Sequence, residues 1–524
     1  MDISLRKMPV GIQDFEKLRT EECVYVDKTQ YVYALTRISS PYFLGRPRRF
    51  GKSLFISTLK AYFLGKKNLF EGLAIAELEK EWIEYPVIYI DFNLGSSDSL
   101  PSVEIALSAM FDDYERKWGI TEKYDTLSVR LATLIKTAYK KSGKKVVVLI
   151  DEYDKALVNT MDNPQTHEAL RVFFKGFYGV LKGMDYALRF VFLTGVSKFA
   201  KVSVFSDLNQ LIDISLYEQY AEICGISEVE LLEQFQPELR ALAKVTGKTY
   251  DETLAEVKKR YDGYQFAKKG ARLYNPFSLL NTFLKNDYAY YWFKTGTTTF
   301  LANILRNSRF DIRKLNKDIV ISVNALDEYR AGETSLTPLL YQTGYLTILS
   351  YDASIDSFTL GFPNEEVKYG FLNQLLPAYI PKWGLDDSFS VITFIQAVRS
   401  GDVDDFMNLL RAYYASIPYD LEESKDKDEK YYQLIFYLLF TNMGQFIETE
   451  VKSASGRADA VVKTADSIYV FELKMDDNAT AEAALAQIDD KGYLIPYSAD
   501  HRRLVKIGVE FSPEAKGIKR WLVG

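Results

Sequence analysis

Three adjacent residues, Gly51-Lys52-Ser53, carry the chemistry of anion capture. They close the stretch Tyr42-Phe43-Leu44-Gly45-Arg46-Pro47-Arg48-Arg49-Phe50-Gly51-Lys52-Ser53. Tyr42, Phe43 and Leu44 read as the end of a strand, and Leu54, Phe55, Leu59, Tyr62 and Phe63 follow at helical spacing. Strand, loop and helix in that order make a phosphate cradle running from Gly45 to Gly51. Backbone N–H groups and the positive helix end face the anion, Lys52 reaches the outer phosphates, and the Ser53 hydroxyl binds Mg²⁺. Arg48 and Arg49 either touch phosphates in cis as an internal charge stabiliser or contact nucleic acid or acidic side chains. The generic spacing G-x-x-x-x-G-K-[ST] asks for glycine at position 46, where Arg46 stands, and Gly45 lies one residue early. Gly-Lys-Ser alone also opens ordinary helices, so the reading needs a second element.

That element is the run Val146-Val147-Val148-Leu149-Ile150, which leads into Asp151-Glu152-Tyr153-Asp154. Continuous β-branched and apolar residues predict a strand buried on both faces, as in a parallel sheet. Ligands of open α/β sheets bind at the carboxyl ends of such strands. Asp151 there would hold Mg²⁺ through water, and Glu152 would be the base that orients an attacking water. An acidic N-cap after a core strand is the plainer alternative. Leu188 to Leu193 is a further apolar strand ending at Thr194, which either senses the terminal phosphate or caps a turn. Tyr85 to Asp91 adds one more. Helical stretches separate these strands, so the order implies a mostly parallel three-layer α/β sandwich.

A second constellation lies near the carboxyl end. Arg457 to Val462 and Ile468 to Lys474 read as two strands of a hairpin around residues 464–467. With that loop, Lys463 faces Ile468 and Asp459 faces Glu472, with directly opposed side chains about 5 Å apart. Two like charges so placed destabilise a sheet unless a cation sits between them. Glu472 and Lys474 share a face by the period of two. Asp459, Glu472 and Lys474 together can hold Mg²⁺ and position a water. A helix at 429–440 and a strand at 445–451 precede the hairpin. A helix at 479–491 and a strand at 504–511 follow, giving α-β-β-β-α-β.

The 524 residues suffice for three or four domains, and 47% hydrophobic with 26% charged content is globular. The two histidines and two cysteines argue against a zinc site, a disulfide framework or His-based catalysis. No apolar run reaches the ~20 residues of a membrane helix, and the amino terminus lacks a signal-peptide core, so a cytoplasmic location without membrane partners is expected. At a net charge of −6, any nucleic-acid contact must come from local patches such as Arg46/Arg48/Arg49, Lys140/Lys141/Lys144/Lys145 or Arg502/Arg503. The expected domains are a nucleotide-binding domain at 1–215, a helical lid at 216–285, a mainly helical connector at 286–410 and a last domain at 411–524. The lid contains two turn motifs, Tyr261-Asp262-Gly263-Tyr264 and Tyr274-Asn275-Pro276-Phe277-Ser278.

Taken together, the chain resembles the bacterial AAA-ATPase-like proteins that carry a carboxyl-terminal PD-(D/E)XK nuclease-superfamily domain. The matching stretches are Gly11 to Phe15, Val26 to Thr29, Arg46 to Ser53, Leu149 to Asp154, Leu193 to Lys198, Tyr261 to Tyr264, and Gly456-Arg457 through Asp459 to Glu472-x-Lys474. Arg46 looks like that family's own variant of the cradle. The resemblance implies a P-loop NTPase sandwich with a helical lid and connector, and a restriction-endonuclease-like α/β domain at the end. It implies ATP and Mg²⁺ as cofactors, Gln487 as a helix glutamine of the nuclease motif, and Glu429 as its upstream acid. Two readings follow, beside a purely structural scaffold role that the intact residues at both sites argue against. One is an ATPase coupled to a Mg²⁺-dependent nuclease acting on DNA or RNA. The other is an ATP-gated switch whose nuclease fold is an interaction platform, with self-association compatible with either.

Overall fold

The computed structural model describes residues 6–161, 163–197, 210–293, 305, 315, 319–327, 336–379, 391–415, 429–443, 448–451, 458–475, 480–512, 514–515 and 517–524. The chain divides into two compact units. One holds Met1–Gly296 and Asp318–Val367, the other Thr297–Lys317 and Lys368–Gly524.

The first unit is built on a five-stranded parallel sheet. Its strands are β1 (Pro41–Gly45), β2 (Val87–Asp91), β3 (Val146–Asp151), β4 (Leu188–Gly195) and β5 (Ile212–Asp213), in the order β2-β3-β4-β1-β5. Every residue of β3 is buried, as its β-branched run requires. The helix Lys52–Phe63 buries Phe55, Ile56, Leu59 and Phe63 and packs on β2, β3 and β4. Gly51 caps it at φ 95°, a left-handed conformation that glycine adopts without strain. Sheet order decides the site. β4 lies between the strand that feeds the loop and the strand that carries Asp151. Leu44 pairs with Thr194, and Ile150 pairs with Leu193. Thr194 is therefore the residue interposed between loop and acid.

Residues 226–285 form a small helical subdomain around the ribbon of β6 (Ile226–Ser227) and β7 (Leu273–Tyr274). Its helices Glu228–Gln234 and Tyr250–Tyr261 each open on a capping box, Ser227 with Glu230 and Thr249 with Glu252. Its core includes Leu231, Phe235, Leu239, Leu242, Val257 and Phe283. The segment expected to be a mainly helical connector has the helices Thr337–Gln342, Glu365–Tyr379, Val391–Ser400 and most of Val403–Ala415. It also holds an antiparallel sheet of β8 (Ile319–Ser322), β9 (Thr347–Asp352) and β10 (Ser357–Gly361) that the sequence reading did not anticipate. Strands of four to six residues show too few alternations to stand out from helical periodicity.

The second unit contains a mixed sheet in the order β11 (Glu448–Val451), β12 (Ala460–Lys463), β13 (Ser467–Met475), β14 (Arg503–Ser512) and β15 (Gly517–Val523). β13 and β14 are parallel and the other neighbours antiparallel. Lys463 pairs with Ile468 and Ala460 with Phe471, so the hairpin register is the expected one and Asp459 falls opposite Glu472. Phe406, Phe436, Phe440 and Phe471 pack ring against ring beneath it. The helix Ala481–Asp490 lies directly on β14 at Gly508. A Cβ there would stand 2.5 Å from the Ala481 carbonyl oxygen and 3.0 Å from the Leu485 nitrogen. Gly508→Ala should therefore push this helix off the sheet and lower the unfolding free energy by about 2 kcal/mol in urea titrations.

Candidate active sites

In the first unit, the loop is braced from behind. Arg46 is fully buried, and its guanidinium turns toward the chain at residues 215–221. Its Nη1 donates to the carbonyls of Gly45 (2.9 Å) and Ser215 (2.8 Å), and its Nη2 to those of Tyr220 (3.0 Å) and Ala221 (3.3 Å). Its guanidinium lies 4.3 Å from the Phe266 ring centroid, and burial lowers its pKa. The residue that breaks the generic spacing thus ties the loop to the chain entering the helical subdomain. The Gly45 N–H is taken by the Ser215 hydroxyl at 2.8 Å. The Arg48 carbonyl accepts from the Trp292 indole N–H at 3.1 Å. Arg49 sits at φ 68° with its guanidinium over Phe277 rather than beside Lys52.

Lys52 is buried. Its ammonium donates to the carbonyls of Arg46 (3.1 Å) and Pro47 (3.2 Å) and stands 3.4 Å from Glu152 Oε1. Asp151 Oδ1 accepts from the Thr194 hydroxyl and from the Glu152 N–H at 3.0 Å. Asp151 Oδ2 is buried with no hydrogen-bond partner. Lys52, Ser53, Asp151, Glu152 and Thr194 are therefore brought together. Glu152 adopts φ 52°, a left-handed conformation that is strained for a side-chain-bearing residue. Sequence reasoning missed Asp154. Its buried carboxylate accepts from the N–H groups of Val196 (3.2 Å) and Ser197 (2.6 Å) and from the Ser197 hydroxyl. It pins the chain just after Thr194, and its place in Asp151-Glu152-Tyr153-Asp154 was its one visible signal. Lys198 lies outside the described residues. Beside Gly51 opens an apolar cavity of about 90 Å³, walled by Val24, Val26, Phe50, Ile226 and Leu280 among others.

In the second unit, Glu472 is buried, and its Oε1 accepts from Lys474 Nζ at 3.0 Å and from Gln487 Nε2. Its Oε2 is buried without a partner. Asp459 Oδ2 accepts from the Leu473 N–H at 2.8 Å, which fixes the carboxylate against the strand bearing Glu472. The hairpin and the Ala481–Asp490 helix thus bring Asp459, Glu472, Lys474 and Gln487 together. Glu510 was missed. It pairs in register with Lys474 and accepts from Ala481 N–H (3.1 Å), Lys519 (2.8 Å) and Arg520 (2.8 Å). It therefore anchors the first turn of the helix that presents Gln487. Glu429 opens the helix Glu429–Met443, but its side chain lies outside the described residues, as do Gly456 and Arg457.

Two family models match the chain. A predicted AAA-ATPase model covers residues 9–205, and a PD-(D/E)XK nuclease-superfamily model covers residues 427–521. A protein of Azotobacter chroococcum mcd 1, described as an uncharacterized protein in the vnfD 5′ region, is 34% identical over 99% of both chains. The chain belongs to this AAA-ATPase-like family. The resemblance carried by residues 46–53, 149–154 and 459–474 is borne out, and so is the α/β class with a parallel P-loop-like sheet and a carboxyl-terminal nuclease-superfamily domain. No helix among the described residues is long and apolar enough to cross a membrane.

Both centres of the AAA-ATPase-like chain fit a hard cation, because each keeps a buried carboxylate oxygen that lacks a close hydrogen bond from the protein. Among the described residues no three His, Cys, Asp or Glu side chains converge, so each ion would complete its shell with water and substrate oxygens. Burial, and next the charge of Glu152, push the Asp151 pKa up to about 6, against the hydroxyls of Ser53 and Thr194 and the charge of Lys52. Burial raises Glu472 as well, opposed by Lys474.

The sign of the Asp151 shift has a measurable consequence. Because its folded pKa lies above the unfolded one, its contribution to stability is present below pH 3.8 and is lost as pH rises through about 6. That loss is of order 3 kcal/mol. Asp151→Asn should raise the unfolding free energy at pH 7 in metal-free buffer by about 2 kcal/mol and flatten its pH dependence between pH 4 and 7. A destabilised variant would mean that Lys52 compensates the buried charge fully.

Proposed function

We propose that the protein binds and hydrolyses MgATP at the first centre and that its nuclease-like domain cleaves a phosphodiester bond of nucleic acid at the second. The observation that carries this reading is that each centre joins a lysine to a buried carboxylate with one oxygen left unpaired: Lys474 bonds Glu472 itself, and Lys52, paired with the adjacent Glu152, acts on Asp151 through its charge. In each, Mg²⁺ would neutralise phosphate charge and lower the pKa of a bound water. Ser53 and Asp151 would hold it in the first centre, and Asp459 and Glu472 in the second.

The chain's own groups supply the rest. Lys52 would exchange the carbonyls of Arg46 and Pro47 and the carboxylate of Glu152 for phosphate oxygens. Glu152, released from the lysine, would orient the attacking water. Thr194 would hold the acid through its hydroxyl, and the apolar cavity beside Gly51 would take the base. In the nuclease-like domain, Lys474 would stabilise charge developing on the phosphate while Gln487 fixes the Glu472 carboxylate. The alternative, an ATP-gated switch, is favoured by the Lys52–Glu152 ion pair, which phosphate must displace.

Lys52→Ala should abolish ATP binding in calorimetry. Glu152→Gln should retain binding yet lose hydrolysis by about a hundredfold or more. Glu472→Ala should abolish Mg²⁺-dependent cleavage of single- and double-stranded DNA and RNA while leaving ATP binding intact. If the wild-type protein hydrolyses ATP but cuts none of these substrates, the switch reading replaces the nuclease one.

A further inference from the structure

The turn motifs at 261–264 and 274–278 have no part in the chemistry above, yet both end on one short segment, residues 363–367. Gly263, at φ 111°, approaches so closely that a Cβ would stand 2.0 Å from the Pro363 carbonyl oxygen. The Asp262 carbonyl accepts from Asn364 Nδ2 at 2.8 Å, and Asn364 Oδ1 in turn caps Val367 N–H at 3.0 Å. The Ser278 hydroxyl donates to Glu366 Oε1 at 2.9 Å. Glu366 is buried, and the same oxygen accepts from the Trp292 backbone N–H at 2.9 Å.

The phosphate loop reaches this segment too. Trp292 holds the Arg48 carbonyl through its indole N–H at 3.1 Å. Gly344, at φ 91°, lies against Pro47, so that a Cβ there would stand 2.6 Å from the proline Cβ. Tyr264 donates to the Gly344 carbonyl at 3.1 Å. Loop, indole and buried carboxylate thus form a continuous line: the Arg48 carbonyl, Trp292, Glu366, and the first turn of the helix Glu365–Tyr379.

We propose that Trp292 and Glu366 are positioning residues that relay occupancy of the phosphate loop to the helix Glu365–Tyr379. The relay rests on the nucleotide reading above. It needs no side chain of its own at the phosphates. The loop can admit an anion only if Lys52 leaves the carbonyls of Arg46 and Pro47, and those carbonyls adjoin the two places where the loop is gripped, Pro47 by Gly344 and Arg48 by Trp292. A shift of the peptide at Arg48 changes the indole bond. The indole is fixed through its own backbone N–H to Glu366, so the shift is passed to the helix start rather than absorbed. Buried hydrogen-bonded groups have few alternative arrangements, and that makes such a line an effective carrier.

The test is amide hydrogen exchange on the full chain, with and without MgATP saturating for each protein. In the wild type, MgATP should change exchange over residues 365–379 by about fivefold or more. Trp292→Phe keeps the ring and the backbone N–H but removes the indole donor. It should bind MgATP and lose most of that change, and Glu366→Ala should behave alike. Glu366→Gln retains an acceptor oxygen and should restore the response. A merely structural role would instead raise exchange equally with and without nucleotide in Trp292→Phe. That result, a full response in Trp292→Phe, or a wild type that binds MgATP with no change at 365–379, overturns the relay. A wild type that binds no ATP overturns the nucleotide reading and the relay with it.

Discussion

A buried carboxylate with one oxygen left without a close hydrogen bond is an unfavourable arrangement; among the described residues this protein maintains it at Asp151 and Glu472, and also at Asp262 in the helical subdomain. Asp151 and Glu472 both have raised pKa values because burial disfavours their charge. Each persists because its surroundings over-determine it. Asp151 is held by Thr194 on the neighbouring strand and by the Glu152 N–H. Glu472 is held by Lys474 two residues along its strand and by Gln487 from the covering helix. In neither centre does the protein itself complete the coordination, and that incompleteness is what a divalent ion and a phosphate oxygen would remove.

The supporting residues differ in kind from the candidate site residues they surround. Asp154, Arg46 and Glu510 are ionisable and buried, and they direct most of their hydrogen bonds to backbone groups, with a hydroxyl added at Asp154 and paired cations at Glu510. Arg46 ties the phosphate loop to residues 215–221, Asp154 pins the strand end at 196–197, and Glu510 anchors the helix that delivers Gln487. These contacts fix the main chain around the candidate site residues, including the loop that carries Lys52 and the helix that carries Gln487.

Much of the site was legible because its signals are local. The apolar run before Asp151 declared a buried strand. Gly51-Lys52-Ser53 declared a loop that turns into a helix, and the length of the turn at 464–467 set the register that opposes Asp459 and Glu472. Arg46 was legible as an irregularity but not as a brace, because its four carbonyl partners include three that lie about 170 residues away. The antiparallel sheet at 319–361 was missed because its strands are short and its pairing skips order, with β10 between β8 and β9.

Residue chemistry and spacing along the chain determined which atoms can take part: a lysine and hydroxyl on a glycine turn, an acid at a strand end, and two acids and a lysine across one hairpin. Tertiary structure decided which of them meet. Strand order put Thr194 between the loop and Asp151, packing at Gly508 let a helix bring Gln487 to Glu472, and Trp292 came to hold the carbonyl of Arg48, 244 positions earlier. Periodicity and turn chemistry act over a few residues and are written in the sequence. Burial of charge and close approach of backbones depend on which distant segments share the same space, and only the folded chain specifies that.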